Sequence, residues 1–225
     1  PPMTPTDFPP NDHLAVKICG ITTGEQAQAI TDLGADALGI NFWPGSKRYI
    51  APNQAASWLP HLLPQTTVIA VLVNPGPELI DHLADTPLAH LLQLHGDESP
   101  DTVAALMNRG FNVIKALQVR DRTSLDAIGE YPCRTLLLDA HNPGSYGGGG
   151  TTFPWELFTV ARERFPDKTL ILSGGLTPAN VAEAVRQTQP AAVDVASGVE
   201  SAPGIKDLTQ VADFLAAART ASLRD

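Results

Sequence analysis

The stretch TLILSGGLTPANVAEAVRQTQPAAVDVASG, residues 169–198, sets two short β-rich runs on either side of one helix-like segment. Both runs are apolar almost throughout, as strands buried on both faces of a parallel sheet are. In the segment between them, Thr177 stands in the N-cap position with Pro178 at the first helical position, so a helix is expected to open there. Parallel strands need a crossover of this kind, so the stretch reads as one βαβ unit. Each run also ends in Ser-Gly, at Ser173-Gly174 and Ser197-Gly198. A short polar turn therefore follows each strand.

Working outward, six similar runs precede it: LAVKIC (14–19), ADALGINF (35–42), TVIAVLV (67–73), HLLQLH (90–95), FNVIKAL (111–117) and TLLLDA (135–140). Helix-like segments separate them. Thr22 and Glu25 form a capping-box pattern that opens EQAQAITDLG, and Gly34 closes it. Eight βα units in a chain of 225 residues match the size of a closed (βα)8 TIM barrel, with a doubly wound open sheet as the competing α/β fold. The strand ends separate the two. Cys19-Gly20, Asn41, Asn74, Gln93 and His95, Lys115, Asp139, Ser173-Gly174-Gly175 and Ser197-Gly198 put polar or glycine positions at or near C-terminal strand ends, where barrels build active sites. CGITTG, after the first run, does not have the G-x-G-x-x-G spacing of a dinucleotide-binding sheet. A single barrel domain over residues 13–225 is expected, preceded by a flexible Pro-rich tail over 1–12.

Composition narrows the function classes. A net charge of -9 and a pI near 5.0 oppose an extended phosphate-backbone partner, so no nucleic acid is expected. No apolar run is long enough to span a bilayer, and PPMTPTDFPPND lacks the basic start and apolar core of a signal peptide. Two cysteines, Cys19 and Cys133, make no disulfide framework, which suits a reducing cytoplasm. Neither cysteine sits in a cluster with zinc-site spacing, so no metal is expected.

The two Ser-Gly turns suggest the charge of the ligand. Gly174 and Gly175, then Ser197 and Gly198, offer closely spaced backbone N–H groups after strands seven and eight, where barrels of this kind often bind phosphate. Each residue has a plainer alternative. Cys19 alone could be a small buried hydrophobe, Asp139 could cap the following loop, and Gln93 and His95 could be satisfied by local hydrogen bonds. Cys133, in the lead-in to the sixth strand, takes the buried reading.

The motifs VKICGIT (16–22), ADALGINFWPGSKRYI (35–50), LQLHGDE (92–98), LLLDA (136–140), SGGLTPANV (173–181) and VDVASGVE with GIKD (193–207), in this order, resemble those of phosphoribosylanthranilate isomerases. The resemblance implies a cofactor-free (βα)8 barrel of tryptophan biosynthesis. Its reaction is the Amadori rearrangement of N-(5′-phosphoribosyl)anthranilate to 1-(o-carboxyphenylamino)-1-deoxyribulose 5-phosphate. It further implies that Cys19 is the general base, that Asp139 is the general acid, and that Arg48 pairs with the anthranilate carboxylate. Lys17, Gln93 and His95 are expected among the substrate-binding residues, in a monomer or a homodimer. A thiol must ionise to accept a proton, and Lys17, two residues before Cys19 on the same strand face, is expected to favour the thiolate. On that basis Cys19 is expected to alkylate faster than a model thiol. Asp139 must instead carry a proton, which the substrate's phosphate and carboxylate would favour.

The chain departs from the family pattern at three places. Lys47 stands where a proline usually precedes the arginine, and GGGGTTFPW (147–155) has Gly149 for threonine and Pro154 for aspartate, so its glycines read as a mobile lid or slack. Among related barrels, a histidine-pathway aminoaldose isomerase would need an aspartate where Cys19 stands. Indole-glycerol phosphate synthase would need a helical N-terminal segment in place of the Pro-rich one. A non-catalytic barrel that binds a phospho-metabolite would not need Cys19, Asp139 and Arg48 together.

Overall fold

A computed structural model of the chain describes residues 8–10, 12–86, 88–140 and 154–222. The eight expected runs all form strands: β1 (Ala15–Cys19), β2 (Ala37–Asn41), β3 (Thr67–Leu72), β4 (Leu91–Leu94), β5 (Val113–Val119), β6 (Thr135–Ala140), β7 (Thr169–Leu172) and β8 (Ala192–Val195). They pair in parallel in chain order, and β1 pairs with β8 through Ala15↔Ala192 and Lys17↔Asp194 to close the barrel. The open-sheet alternative is excluded.

Each strand sends alternate residues inward and outward. The outward set, including Val16, Ile18, Leu38, Ile40, Val68, Leu136 and Leu138, joins the helices in the larger apolar core. The inward set, including Ala15, Ala37, Ile69, Leu91, Ile114, Leu137, Ile171 and Ala192, forms a second cluster inside the barrel. Phe8 belongs to that inner cluster and is only 5% exposed. The expected tail over 1–12 is therefore corrected at Phe8, because an aromatic ring that reaches apolar surface gains more from burial than ordering one residue costs.

The helices are α1 (Gly24–Asp32), α2 (Pro52–Ala55), α3 (Leu59–Leu62), α4 (Pro77–Asp85), α5 (Pro100–Asn108), α6 (Trp155–Arg164), α7 (Val181–Thr188) and α8 (Leu208–Ser222). The second crossover is split into α2 and α3 by residues 56–58, and Pro60, in the first turn of α3, has no N–H with which to join the two. The fifth is a 3-10 helix, Thr123–Glu130. Two caps differ from the expectation. Thr23, not Thr22, accepts from Gln26 N to open α1, while the Thr22 hydroxyl donates to Gly204 O at 2.8 Å. Helix α7 opens at Val181 rather than beside Thr177, because Asn180 ties the preceding turn through Thr177 N→Oδ1 (2.8 Å) and Nδ2→Gly175 O (2.9 Å). After β8 a small hairpin, β9 (Glu200–Ala202) with β10 (Ile205–Lys206), leans over the barrel mouth. The glycine stretch over 147–150 lies outside the described residues, and no described helix is long and apolar enough to cross a membrane.

Candidate active site

Following the inward face toward the C-terminal strand ends, the side chains turn polar. On β1 the order is Ala15, Lys17, Cys19; on β6 it is Leu137, Asp139; on β8 it is Ala192, Asp194. Above these residues lies a cavity of about 620 Å³. Cys19, His95, Arg48, Asp139, Ser173 and Ser197 of the expected set or its neighbours line it, together with Trp43 and Glu200.

Lys17 is fully buried beneath the cavity, its Nζ donating to Asp194 Oδ1 at 2.7 Å, and Asp194 Oδ2 takes the Ser173 hydroxyl at 3.2 Å. Glycine at position 39 of β2 makes room for this cluster, since a Cβ there would lie 2.7 Å from Cys19 Sγ and 3.1 Å from Lys17 Nζ. The expected thiolate is corrected. Burial pushes the Cys19 thiol above its ordinary value; the Lys17 charge pulls it down, but Asp194 opposes that pull. Lys17 cannot dominate because it is shared with a carboxylate. Burial therefore works against the expected thiolate at Cys19.

Opposite Cys19, Asp139 Oδ1 accepts from Ala140 N at 2.9 Å, and Oδ2 lies 3.3 Å from His95 Nε2. Gln93, wholly buried below, sets its amide nitrogen 3.0 Å from His95 Nδ1. His95 Nε2 and Gln93 Oε1 have no hydrogen-bond partner among the described residues, so polar capacity is left open beside Asp139.

Arg48 does not offer its whole guanidinium. Its Nε and Nη2 each donate to Glu200 at 2.7 Å, and Lys206 Nζ holds the same carboxylate at 2.7 Å and Ala196 O at 2.9 Å. Burial raises the Glu200 carboxyl, yet the hydrogen bonds from Arg48 and Lys206 outweigh it and keep it below the usual range. This leaves Nη1 and the remaining N–H of Nη2 as the edge of the fork that Glu200 does not engage.

The two Ser-Gly turns meet each other. Gly174 and Gly175 adopt φ of 94° and 65°, which favour glycine. A Cβ at Gly198 would sit 1.8 Å from Leu176 O, so the turn after β8 can touch the turn after β7 only without a side chain. Gly174, Gly175, Gly198, Lys17 and Gln93 thus shape or support the site from behind its lining. Asp194, Glu200, Lys206 and Asn180 were not singled out from the sequence. Asp194 carried a signal, since it lies inward by period two from Ala192.

This arrangement of strand ends, turns and cavity-facing side chains can be set beside known proteins. Residues 16–217 match the family model described as N-(5′phosphoribosyl)anthranilate (PRA) isomerase. The chain belongs to this family. A relative from Trichlorobacter lovleyi named N-(5′-phosphoribosyl)anthranilate isomerase is 45% identical over 92% of this chain and 99% of its own length. The crystal structure of phosphoribosyl anthranilate isomerase from Thermotoga maritima aligns with a TM-score of 0.82 and 40% identity over 92% of this chain and 99% of that one. Another solved isomerase, in complex with reduced 1-(o-carboxyphenylamino)-1-deoxyribulose 5-phosphate, aligns with a TM-score of 0.80 and 38% identity over the same shares. The chain is thus an isomerase-family (βα)8 barrel along almost its whole length.

Proposed function

We propose that Cys19 as general base and Asp139 as general acid carry out the family's reaction in this chain. That reaction is the Amadori rearrangement of N-(5′-phosphoribosyl)anthranilate to 1-(o-carboxyphenylamino)-1-deoxyribulose 5-phosphate in tryptophan biosynthesis. The observation that carries the reading is that Cys19 on β1 and Asp139 on β6 face one cavity of about 620 Å³ from different sides. Asp139 gives its proton to the furanose ring oxygen, the C1′–O bond breaks, and the anthranilate nitrogen supplies the electron pair that makes the Schiff base. Cys19 takes the proton from C2′, leaving an enolamine, and delivery of a proton to C1′ with loss of the C2′ hydroxyl proton to the now ionised Asp139 carboxylate completes the ketone. No electron leaves the substrate and each proton is handled by a side chain, so the route as written calls for no redox cofactor.

The remaining groups match the two ends of the substrate. The open edge of Arg48 suits the anthranilate carboxylate, and Trp43, Val71 and Val73 in the cavity lining suit its ring. The turns at Gly174-Gly175 and Ser197-Gly198 suit the phosphate. Lys17 and Gln93 act through Asp194 and His95 rather than by touching substrate. Two free cysteines among the described residues fit a cytoplasmic setting, and the protein is a monomer or a homodimer in this reading.

The test is turnover of freshly prepared phosphoribosylanthranilate by purified protein in the presence of a chelator, with Cys19→Ser alongside. Full activity in the parent and severe loss in the variant are expected. Activity that vanishes with chelator and returns with a divalent ion, or a fully active Cys19→Ser, would overturn the mechanism.

A further inference from the structure

Lys115 lies on β5 between Ile114 and Ala116, both in the inner cluster, so its side chain points out of the barrel toward the helix layer. It is 1% exposed, and it meets Glu98, also buried, at 2.8 Å. A buried ion pair is costly to desolvate, and an apolar pair of similar volume often serves a fold as well or better. What this pair holds is specific. Lys115 Nζ donates to Leu94 O at 3.3 Å and to Gly96 O at 2.7 Å, the carbonyls on either side of His95. Glu98 accepts from Gly96 N through both oxygens, at 3.2 and 3.0 Å, and from Asn74 N at 2.8 Å, which ties in the end of β3. His95 N itself donates to Leu72 O at 2.8 Å. The backbone on both sides of His95 is thus fixed from β5, and its own N–H from β3. His95 Nε2 is thereby presented 3.3 Å from Asp139 Oδ2.

We infer that Lys115 and Glu98 are positioning residues for catalysis: outside the cavity, they clamp the β4 turn so that His95 is held against the Asp139 carboxyl. This rests on the reading of Asp139 and His95 as site residues. Acid transfer needs sub-ångström placement, and a displacement of about 1 Å can lower turnover roughly a hundredfold. The phosphate turns and Arg48 stand on other strand ends, so substrate binding does not depend on the clamp.

The test is a double-mutant cycle. Lys115→Met with Glu98→Gln removes both charges together, which avoids leaving either one buried alone, and Lys115→Gln with Glu98→Gln, which keeps both groups polar, is the milder companion. Both are measured in the parent and in a His95→Gln background, using preparations whose circular dichroism matches the parent. In the parent, kcat should fall on the order of a hundredfold with KM little changed. In the His95→Gln background the same changes should alter kcat by no more than about twofold, because the residue they act through is gone. Equal losses in both backgrounds, no loss in the parent, or failure of both clamp variants to reach a folded state would overturn the clamp and mark the pair as purely structural. His95→Gln alone retaining full activity would instead overturn the role of His95 itself, and the clamp with it.

Discussion

The two ends of the barrel interior are built from the same strands, yet they have opposite chemistry. At the N-terminal end the inward side chains are Ala15, Ala37, Ile69, Leu91, Ile114, Leu137, Ile171 and Ala192, with Phe8 joining from the chain that precedes β1. One step along the same period-two face, the lumen holds Lys17, Gln93, Asp139, Ser173 and Asp194, with Cys19 and His95 above. Burying each large apolar side chain at the first end contributes roughly 1.5–3 kcal/mol. The second end works against folding, since charges such as Lys17 and Asp194 leave water to meet at 2.7 Å. The comparison teaches that one end holds the fold and the other spends some of that stability on chemistry.

The sharpest way to break this division is to change one residue at each end of a single strand. Asp139→Asn, at the polar end of β6, should lower kcat by about 10²–10⁴-fold while the melting temperature and the affinity for a product analogue stay near parental values. Near-full turnover would remove Asp139 from proton transfer. Leu137→Ala, two residues below on the same face and fully buried, should cost about 2–5 kcal/mol of stability and leave kcat largely intact in the folded fraction. A collapse of kcat without loss of stability in that variant would show that the two ends are not separable.

A smaller effect sharpens the polar end alone. With the Cys19 thiol held above its ordinary value by burial, only the minor thiolate fraction accepts a proton at neutral pH. Lower pH depletes that fraction, so kcat/KM should rise about tenfold per pH unit through neutrality on the acidic limb. For the same reason, iodoacetamide should label Cys19 of the free protein more slowly than a model thiol, with activity lost in step. A profile already flat at pH 7, or full activity with Cys19 completely alkylated, would contradict the assigned base.

The smallest expected effect lies outside the lumen. Pro154 occupies the N-cap of α6 and supplies no side-chain hydrogen bond. Pro154→Asp should add a cap and favour the helix N-terminus, raising stability by about 1 kcal/mol with kinetics unchanged. A denaturant midpoint that does not increase would show that the proline's rigidity matters as much as a cap.

Much of the site was legible because it follows from short-range pattern. Eight apolar runs with polar ends specify the barrel, and period two along each strand places Cys19 and Asp139 inward without reference to any other part of the chain. The same rule would have marked Asp194, and would have turned Lys115 away from the lumen once Ile114 and Ala116 were taken as inward. Cap positions were less legible, as Thr22 and Thr23 compete for one role and a partner in the distant hairpin decides between them. By itself the sequence determined the fold and the inward placement of Cys19 and Asp139 at strand ends, because these depend on residues a few positions apart. Only the tertiary structure decided that Lys17 belongs to Asp194, 177 residues away, and that Arg48 is held by Glu200, 152 residues away. It also set burial against the thiolate expected at Cys19. The physical reason is that charge and desolvation act through space, so a side chain's partners and protonation follow from closure of the barrel rather than from its neighbours along the chain.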